Sequence, residues 1–268
     1  MKGKEGIGWI EMSYSTDTHL QFVMNIGQQK PESIINRETA CPFCARESLT
    51  DILAEDGPLL LLKNKYPVLQ DTLQTVLIET DECLAEFSTY RKDHLHRLMR
   101  FALREWDQME RSGEFRSVVM FKSHGPQSGG TIRHPHMQIV GLKQIDYLAD
   151  VQEEQFQGLL IAGEPGVELN ISTAPRVGFY ELNAILKDGE KVDVMADYVQ
   201  IAAHYLMHNF HRACNSYNLF FYRFHEQICV KIMPRFIASP IYIGFSIPQV
   251  ADRIGEVADQ IRQLYFEA

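Results

Sequence analysis

The sequence predicts an α+β protein made of two tandem repeats that share one sheet or a tight interface. Two observations lead there. The order strand, long helix, strand, strand occurs once in each half of the 268-residue chain, which marks a degenerate internal duplication. No low-complexity linker separates the halves. The length is enough to bury a sizeable core, and 45% hydrophobic with 23% charged residues is the composition of a folded chain.

The first forty residues are polar and irregular and predict an arm or a pair of short strands. Apolar or β-rich runs follow at Leu59–Lys63, Thr75–Glu79, Ser117–Lys122 and His136–Gly141, each bounded by turn residues. Between the second and third, Leu95, Leu98, Met99, Ala102, Leu103, Trp106 and Met109 recur at helical spacing. A helix is therefore expected from Ser88 to Arg111, closed by Gly113. A shorter helix is expected over Val151–Ala162. In the second half Val177–Ile185 reads as a strand, and Val194–Cys214 as a helix with Val199, Ala203, Leu206, Phe210 and Ala213 on one face. Asn218–Arg223, Gln227–Met233 and Ile241–Phe245 read as strands. A last helix starts at Pro248, a good first-turn residue, with Val250, Ile254, Val257, Ile261 and Leu264 inward. The repeats divide as residues 1–145 and 146–268.

A net charge of −9 argues against partners that need a basic field, so neither nucleic acid nor an anionic membrane is expected. A phosphate-bearing substrate is still allowed, because a local site can be positive on an acidic protein. No run reaches the roughly 18 apolar residues of a membrane span. The segment Met1–Ser13 lacks the pattern of a secretion signal, so a cytoplasmic location is the expectation. Five cysteines in a chain this long do not form a disulfide framework, and in a reducing compartment Cys41 and Cys44 read as thiolate ligands or a redox pair.

The chemistry concentrates between Phe121 and Gln138. A strand enters a loop holding Gly125, Gly129 and Gly130, which let backbone N–H groups form a concave anion site. Ser128 and Thr131 can add hydrogen bonds to phosphate oxygens, and Lys122, His124 and Arg133 can add positive charge. The following strand begins His134-Pro135-His136-Met137-Gln138. Strand alternation projects His134, His136 and Gln138 from one face. A neutral imidazole there can attack an α-phosphorus, with Gln138 binding a nonbridging oxygen. A lone His-x-His would more often be structural; the glycine loop and the same-face glutamine reverse those odds.

Cys41-Pro42-Phe43-Cys44 can present two sulfurs to one metal, but a tetrahedral site needs two more ligands. Cys83, after the Thr75–Glu79 run, is the third candidate and His134 the fourth; a half-buried loop thiol is the equal alternative for Cys83. His204, His208 and His211 lie opposite an apolar stripe and read as a solvated face. His94 and His96 read as surface residues, and Cys214 and Cys229 as core thiols.

From Cys41 to Leu142 these motifs resemble the galactose-1-phosphate uridylyltransferase branch of the histidine-triad superfamily. The spacing from Phe121 to Gln138 matches that branch without insertion. The resemblance implies two histidine-triad-like repeats around a mainly antiparallel sheet with flanking helices, the first catalytic and the second degenerate. It implies His136 as nucleophile, Gln138 on the transferred phosphate, Gly129, Gly130 and Thr131 in the phosphate loop, and Asn64 and Tyr66 in the nucleotide pocket. It further implies a structural zinc on Cys41, Cys44, Cys83 and His134. The implied activity is ping-pong nucleotidyl transfer from a nucleotide sugar to a sugar phosphate or other phosphate acceptor, and a homodimer is allowed. The alternatives are a phosphorylase or hydrolase of dinucleoside polyphosphates or nucleotide sugars, and a non-catalytic nucleotide-binding protein. Departures are Lys65 at an acidic pocket position, Gly130 at a cysteine position, and no His-x-His in the second half, where Cys229 and Lys231 stand instead.

Overall fold

The computed structural model describes residues 18–267; any arm or strand expected before residue 18 lies outside them. A short helix α1 (Met24–Gly27) precedes a 3-10 turn at Arg46–Ser48. Strands β1 (Ile52–Asp56), β2 (Leu59–Lys63) and β3 (Thr72–Ile78) lead to helix α2 (Lys92–Arg111), then β4 (Ser117–His124) and β5 (His136–Leu142). The second half runs β6 (Gly158–Glu164), β7 (Val167–Ser172), β8 (Gly178–Phe179), β9 (Leu182–Leu186), α3 (Val192–Tyr205), β10 (Tyr217–Phe224) and β11 (Gln227–Pro234). It closes with α4 (Pro240–Phe245), β12 (Gln249–Val250) and α5 (Ile254–Tyr265).

Among the described residues, ten strands make one antiparallel sheet in the order β1-β2-β3-β5-β4-β10-β11-β9-β7-β6. Read inward from each edge, β1-β2-β3-β5-β4 and β6-β7-β9-β11-β10 are the same arrangement. The central strands pair with Phe121 opposite Phe220, which places an approximate two-fold axis between them. Gln138 lies opposite Phe121, and Lys231 opposite Phe220. Gln138 thus corresponds to Lys231, and His136 to Cys229, two residues earlier.

Alternation along the strands splits the core. Leu59, Leu61, Leu77, Met120, Met137 and Ile139 face the helices, where Leu95, Leu98, Met99, Ala102 and Trp106 of α2 are wholly buried. Each large apolar side chain buried this way stabilises the fold by roughly 1.5–3 kcal/mol. The Trp106 indole N–H donates to the Val118 carbonyl at 3.0 Å. On the opposite face Leu60, Leu62, Val76 and Ile78 pack under Phe43 and Leu49. The halves are joined by Gln200, which donates to the Phe87 and Tyr90 carbonyls at 3.2 and 2.8 Å. No helix of the described residues is long and apolar enough to cross a membrane.

Several elements differ from the sequence expectation. The expected helix over Val151–Ala162 is a 3-10 turn at Glu153–Phe156 followed by β6. The turn Glu164-Pro165-Gly166-Val167, with Gly166 at φ +90°, makes β6 a hairpin with β7, so pairing overrides local helical spacing. The run Ile241–Phe245 is helix α4, because Pro240 opens it and the Ser239 hydroxyl accepts from the Ile241 N–H at 3.2 Å. Val177–Ile185 is broken at Phe179 into β8 and β9. The helix expected over Val194–Cys214 ends at Tyr205 and continues as a π-helical turn, Leu206–Phe210. Helix α5 begins at Ile254 rather than Pro248, since Gln249–Val250 pairs in parallel with β8.

On the sheet face away from the helices, the second half holds a buried ion pair. The Lys231 ammonium lies 2.9 Å from a Glu181 carboxylate oxygen and 2.9 Å from Asn183 Oδ1, and donates to the Gln155 carbonyl at 2.7 Å. Both members of the ion pair are fully buried. Removing one partner of such a pair leaves an uncompensated charge, at a cost of about 3–5 kcal/mol. Lys231→Met is therefore expected to lower the urea midpoint by that equivalent, and Lys231→Met combined with Glu181→Gln to be the less destabilised of the two.

Candidate active site

Strand β5 lies between β3 and β4, so its residues are held by ladders on both sides. Its alternation sends Met137 and Ile139 into the helix-side core and His136 and Gln138 to the other face. His136 is 8% exposed, with the Phe43 ring edge-on at 5.5 Å. Its Nδ1 lies 2.7 Å from the His134 carbonyl oxygen. A carbonyl only accepts, so Nδ1 carries the proton and the lone pair of the neutral ring is on Nε2. Burial pushes the His136 pKa down to about 4, and the Lys122 ammonium and His134 add to that, against the hydrogen bond to the His134 carbonyl. The ring is neutral at physiological pH.

His134 uses the same logic with the opposite nitrogen. Its Nε2 donates to the Thr80 carbonyl at 2.8 Å, leaving the Nδ1 lone pair directed at Cys41 Sγ (3.6 Å) and Cys44 Sγ (3.7 Å). With Cys83, these four side chains bring one ligand atom each to within 4.8 Å of one another. A tetrahedral ion with bonds of about 2.3 Å to sulfur and 2.0 Å to nitrogen needs sulfur–nitrogen separations of about 3.6 Å. The residues fit a metal ion. Burial works against the Cys83 thiolate, but hydrogen bonds from Cys44 and Arg133 outweigh it and bring its pKa below the ordinary value. Arg133 thus places positive charge beside a cluster that is net negative when three thiolates hold a divalent ion.

The loop between β4 and β5 is shaped largely by its own contacts. Gly125, at φ +84°, packs so closely on the chain entering β10 that a Cβ there would lie 2.1 Å from the Asn215 carbonyl oxygen. Its glycine serves packing, not ligand approach. Gly129, at φ +83°, has no atom within 4 Å of that position and faces open space, while Gly130 is flanked by Ser123. The Ser128 hydroxyl donates to the Gly125 carbonyl at 2.7 Å and is used up inside the loop. Of the two hydroxyls expected to meet phosphate, that of Thr131 has no hydrogen bond among the described residues, while that of Ser128 is engaged.

The expected cations are also placed differently. Lys122 is on the helix side of the sheet, 2.6 Å from Glu79, which also accepts from the Tyr90 hydroxyl at 3.0 Å. His124 stacks on Tyr217 with ring centroids 5.0 Å apart. Arg133 serves the thiol cluster. Asn64 and Tyr66 form a turn after β2 in which Asn64 Oδ1 accepts from the Tyr66 N–H at 2.9 Å. That turn is two strands from β5 and level with Val140, on the order of 15 Å from His136 by strand spacing and rise. His94 and His96 are not free surface residues. His94 meets the Tyr90 ring edge-on, and His96 Nε2 is 2.8 Å from Asp197. His204 is half-buried, with its Nδ1 2.6 Å from the Tyr265 hydroxyl.

Four contributors were not foreseen. Ser33, fully buried, donates its N–H to the Thr131 carbonyl at 2.8 Å and accepts from the Arg133 N–H at 3.2 Å, laying the segment from Glu32 along the loop. Phe43 covers both histidines. The Thr80 carbonyl orients His134, and Arg46 donates to that carbonyl at 2.9 Å while pairing with Asp81 at 2.7 Å. A backbone carbonyl and contacts across more than thirty residues leave no local sequence signal.

Two family models cover nearly all the described chain: the N-terminal domain of DUF4931, a domain of unknown function, over residues 22–145, and its C-terminal domain over 148–266. A crystal structure of a DUF4931 family protein from Bacillus cereus is 45% identical, with 81% of this chain and 100% of that chain covered and a TM-score of 0.74. A uridylyltransferase structure superposes with a TM-score of 0.65 at 15% identity, over 84% of this chain and 91% of that one. An ADP-glucose phosphorylase from Arabidopsis thaliana, solved with bound ADP-glucose, gives 0.66 at 15% identity over 85% and 91%. At that identity the likeness is one of fold. No curated protein matches the sequence significantly. The chain belongs to the DUF4931 family and shares its fold with that uridylyltransferase and that ADP-glucose phosphorylase.

Proposed function

We propose that this protein is a nucleotidyltransferase acting on nucleotide sugars through a nucleotidyl-histidine on His136. The observation that carries the reading is the fixed tautomer of His136. Its Nδ1–H is tied to the His134 carbonyl, so Nε2 holds a lone pair on the strand that follows the glycine loop. That nitrogen attacks the α-phosphorus; a P–N bond forms, the P–O bond to the sugar phosphate breaks, and the sugar phosphate leaves with the electron pair. A phosphate oxygen of the second substrate then attacks the same phosphorus and releases His136. The Gly129 N–H, the Gly130 N–H once it exchanges its 3.4 Å bond to the Ser128 hydroxyl, the Thr131 hydroxyl and the Gln138 amide bind the phosphoryl oxygens, and Asn64 and Tyr66 take the nucleoside. The catalytic unit is residues 1–145, and 146–268 is a repeat that kept the fold and lost the chemistry.

Cys41, Cys44, Cys83 and His134 would hold a zinc ion, which contributes folding energy and has no position left for water. His134 then serves stability and the presentation of His136. The ADP-glucose phosphorylase with this fold holds ADP-glucose, which supports a nucleotide-sugar substrate and leaves base and acceptor as the open variables. Intact-mass measurement after incubation with UDP- and ADP-sugars is expected to show the mass of one nucleoside monophosphate added to the protein. Its absence across the panel would favour a non-catalytic nucleotide-binding protein. Presenting the loaded protein with inorganic phosphate, water or a sugar phosphate separates phosphorylase, hydrolase and transferase.

Three variants test the assignments. His136→Asn is expected to abolish the adduct and transfer while leaving the melting temperature and metal content intact; wild-type turnover in this variant refutes the mechanism. Gln138→Ala removes a donor that strengthens in the transition state, so turnover should fall about 100- to 1000-fold with little change in substrate affinity. A change in affinity alone would make Gln138 a positioning residue. Elemental analysis should find one zinc per chain, partly lost in Cys83→Ala along with a lower melting temperature. Full retention at unchanged stability excludes Cys83 as a ligand.

A further inference from the structure

A cleft of about 600 Å³ opens at the edge of the second half, away from His136. It lies between the C-terminal end of β11, the end of α3 and helix α5, on the helix side of the sheet, whereas His136 faces the other side. Its volume falls in the range of small-molecule sites, about 300–1000 Å³.

The walls are aromatic. Tyr180 and Phe210 meet with ring centroids 5.1 Å apart, Phe210 and Phe236 at 6.4 Å, and Phe236 and His211 at 6.1 Å. The charged residues lining the cleft are Arg235, Arg253 and Glu256. Arg253 and Glu256 pair with each other at 2.5 Å, which leaves Arg235 as the uncompensated charge. Its Nε is buried and, among the described residues, has no hydrogen-bond partner. In a chain of net charge −9, an aromatic cleft with one spare guanidinium selects for an anion.

Two unusual backbone features frame the same cleft. Phe179 sits at φ +58°, a conformation costly for a bulky residue, in a three-residue turn closed by the Tyr180 N–H on the Gly178 carbonyl at 2.9 Å. The π-helical turn Leu206–Phe210 delivers Phe210 and His211 to the lining of the same cleft, with Phe210 against Tyr180. Both kinds of feature are rare and recur at functional sites.

We propose that this cleft is a second ligand site, for a small planar molecule carrying one phosphate or other anionic group, with the ring against the aromatic lining and the anion on Arg235. The site is independent of the nucleotidyl transfer proposed for His136. Isothermal titration with 1-naphthyl phosphate tests it. The wild-type protein is expected to bind, and His136→Asn to bind equally well. Arg235→Gln should weaken binding about 10-fold or more, as loss of a hydrogen bond to a charged group does. Arg235→Lys, which keeps the charge, should retain most of it, and uncharged 1-naphthol should bind equally weakly to wild type and Arg235→Gln. Nucleotidyl transfer by Arg235→Gln should be unchanged. Melting temperatures confirm that the variants are folded; if Arg235→Gln fails to fold, a failure of Arg235→Lys to bind decides against the proposal. No binding to the wild type, or an affinity unchanged in Arg235→Gln, overturns it, the latter placing the probe at the phosphate loop.

Discussion

The hydrogen bond from His134 Nε2–H to the Thr80 carbonyl, at 2.8 Å, is the constraint on which the candidate site depends. It fixes the tautomer, and the tautomer decides that Nδ1 can accept a metal alongside the thiols of Cys41, Cys44 and Cys83. The carbonyl of the same residue then fixes His136 in the opposite tautomer. One backbone oxygen at the end of β3 therefore orients two imidazoles in series. Arg46 holds that oxygen from a second direction and bonds the Pro58 carbonyl at 2.7 Å, so the orientation is anchored across three separate chain segments. Ligand orientation by outer hydrogen bonds is the usual way a metal site transmits rigidity to its surroundings.

The approximate two-fold axis sets the residues of the two halves in register. Where the first half has His136 and Gln138 on the face away from the helices, the second has Cys229 and Lys231 at matching register. Cys229 is buried with Val151, Phe156 and Ile185, and burial pushes its thiol up to about 12, which leaves it protonated and inert. Lys231 is held by Glu181, Asn183 and the Gln155 carbonyl under the Phe156 ring. The turn at Glu153–Phe156 thus packs directly on Lys231. A buried ion pair of this kind gives little net stability against an apolar alternative, but it excludes water and fixes register.

Much of this was readable from residue order because the relevant signals are local. The period of α2 and the alternation of β5 each occupy a short window, and they carry the mainly antiparallel sheet and the long helix; Cys41, Cys44, Cys83 and His134 do come together as a cluster that could hold a metal ion. The failures have physical causes. Ile241–Phe245 is an apolar run whose type depends on its cap, and the Ser239-Pro240 start decided for helix. Val151–Ala162 had helical spacing, yet β7, itself unforeseen, offered a ladder that outweighed it. Lys122 was placed on the wrong face of β4 for the phosphate role, although strict alternation with the helix-side residues Val118 and Met120 carries that information. Ser33, Phe43 and Thr80 act through contacts with partners distant in the chain, and nothing near them in sequence announces it.

The cations bear on how an acidic protein would handle a phosphate. Lys122, His124 and Arg133 flank the loop in sequence, but each is engaged elsewhere: on Glu79, on Tyr217 beside Glu86, and at the thiol cluster. Under the proposed mechanism the groups left to meet the phosphate are dipoles: loop N–H groups, the Thr131 hydroxyl and the Gln138 amide. Dipoles held rigid by glycine turns and strand pairing need no reorganisation when charge shifts during phosphoryl transfer, and they attract the ground-state anion less than a lysine or arginine would. Under the proposed mechanism, such a site gives up ground-state affinity and concentrates its binding energy in the transition state. The buried, neutral His136 belongs to the same design, because a protonated imidazole would bind the anion but could not attack it.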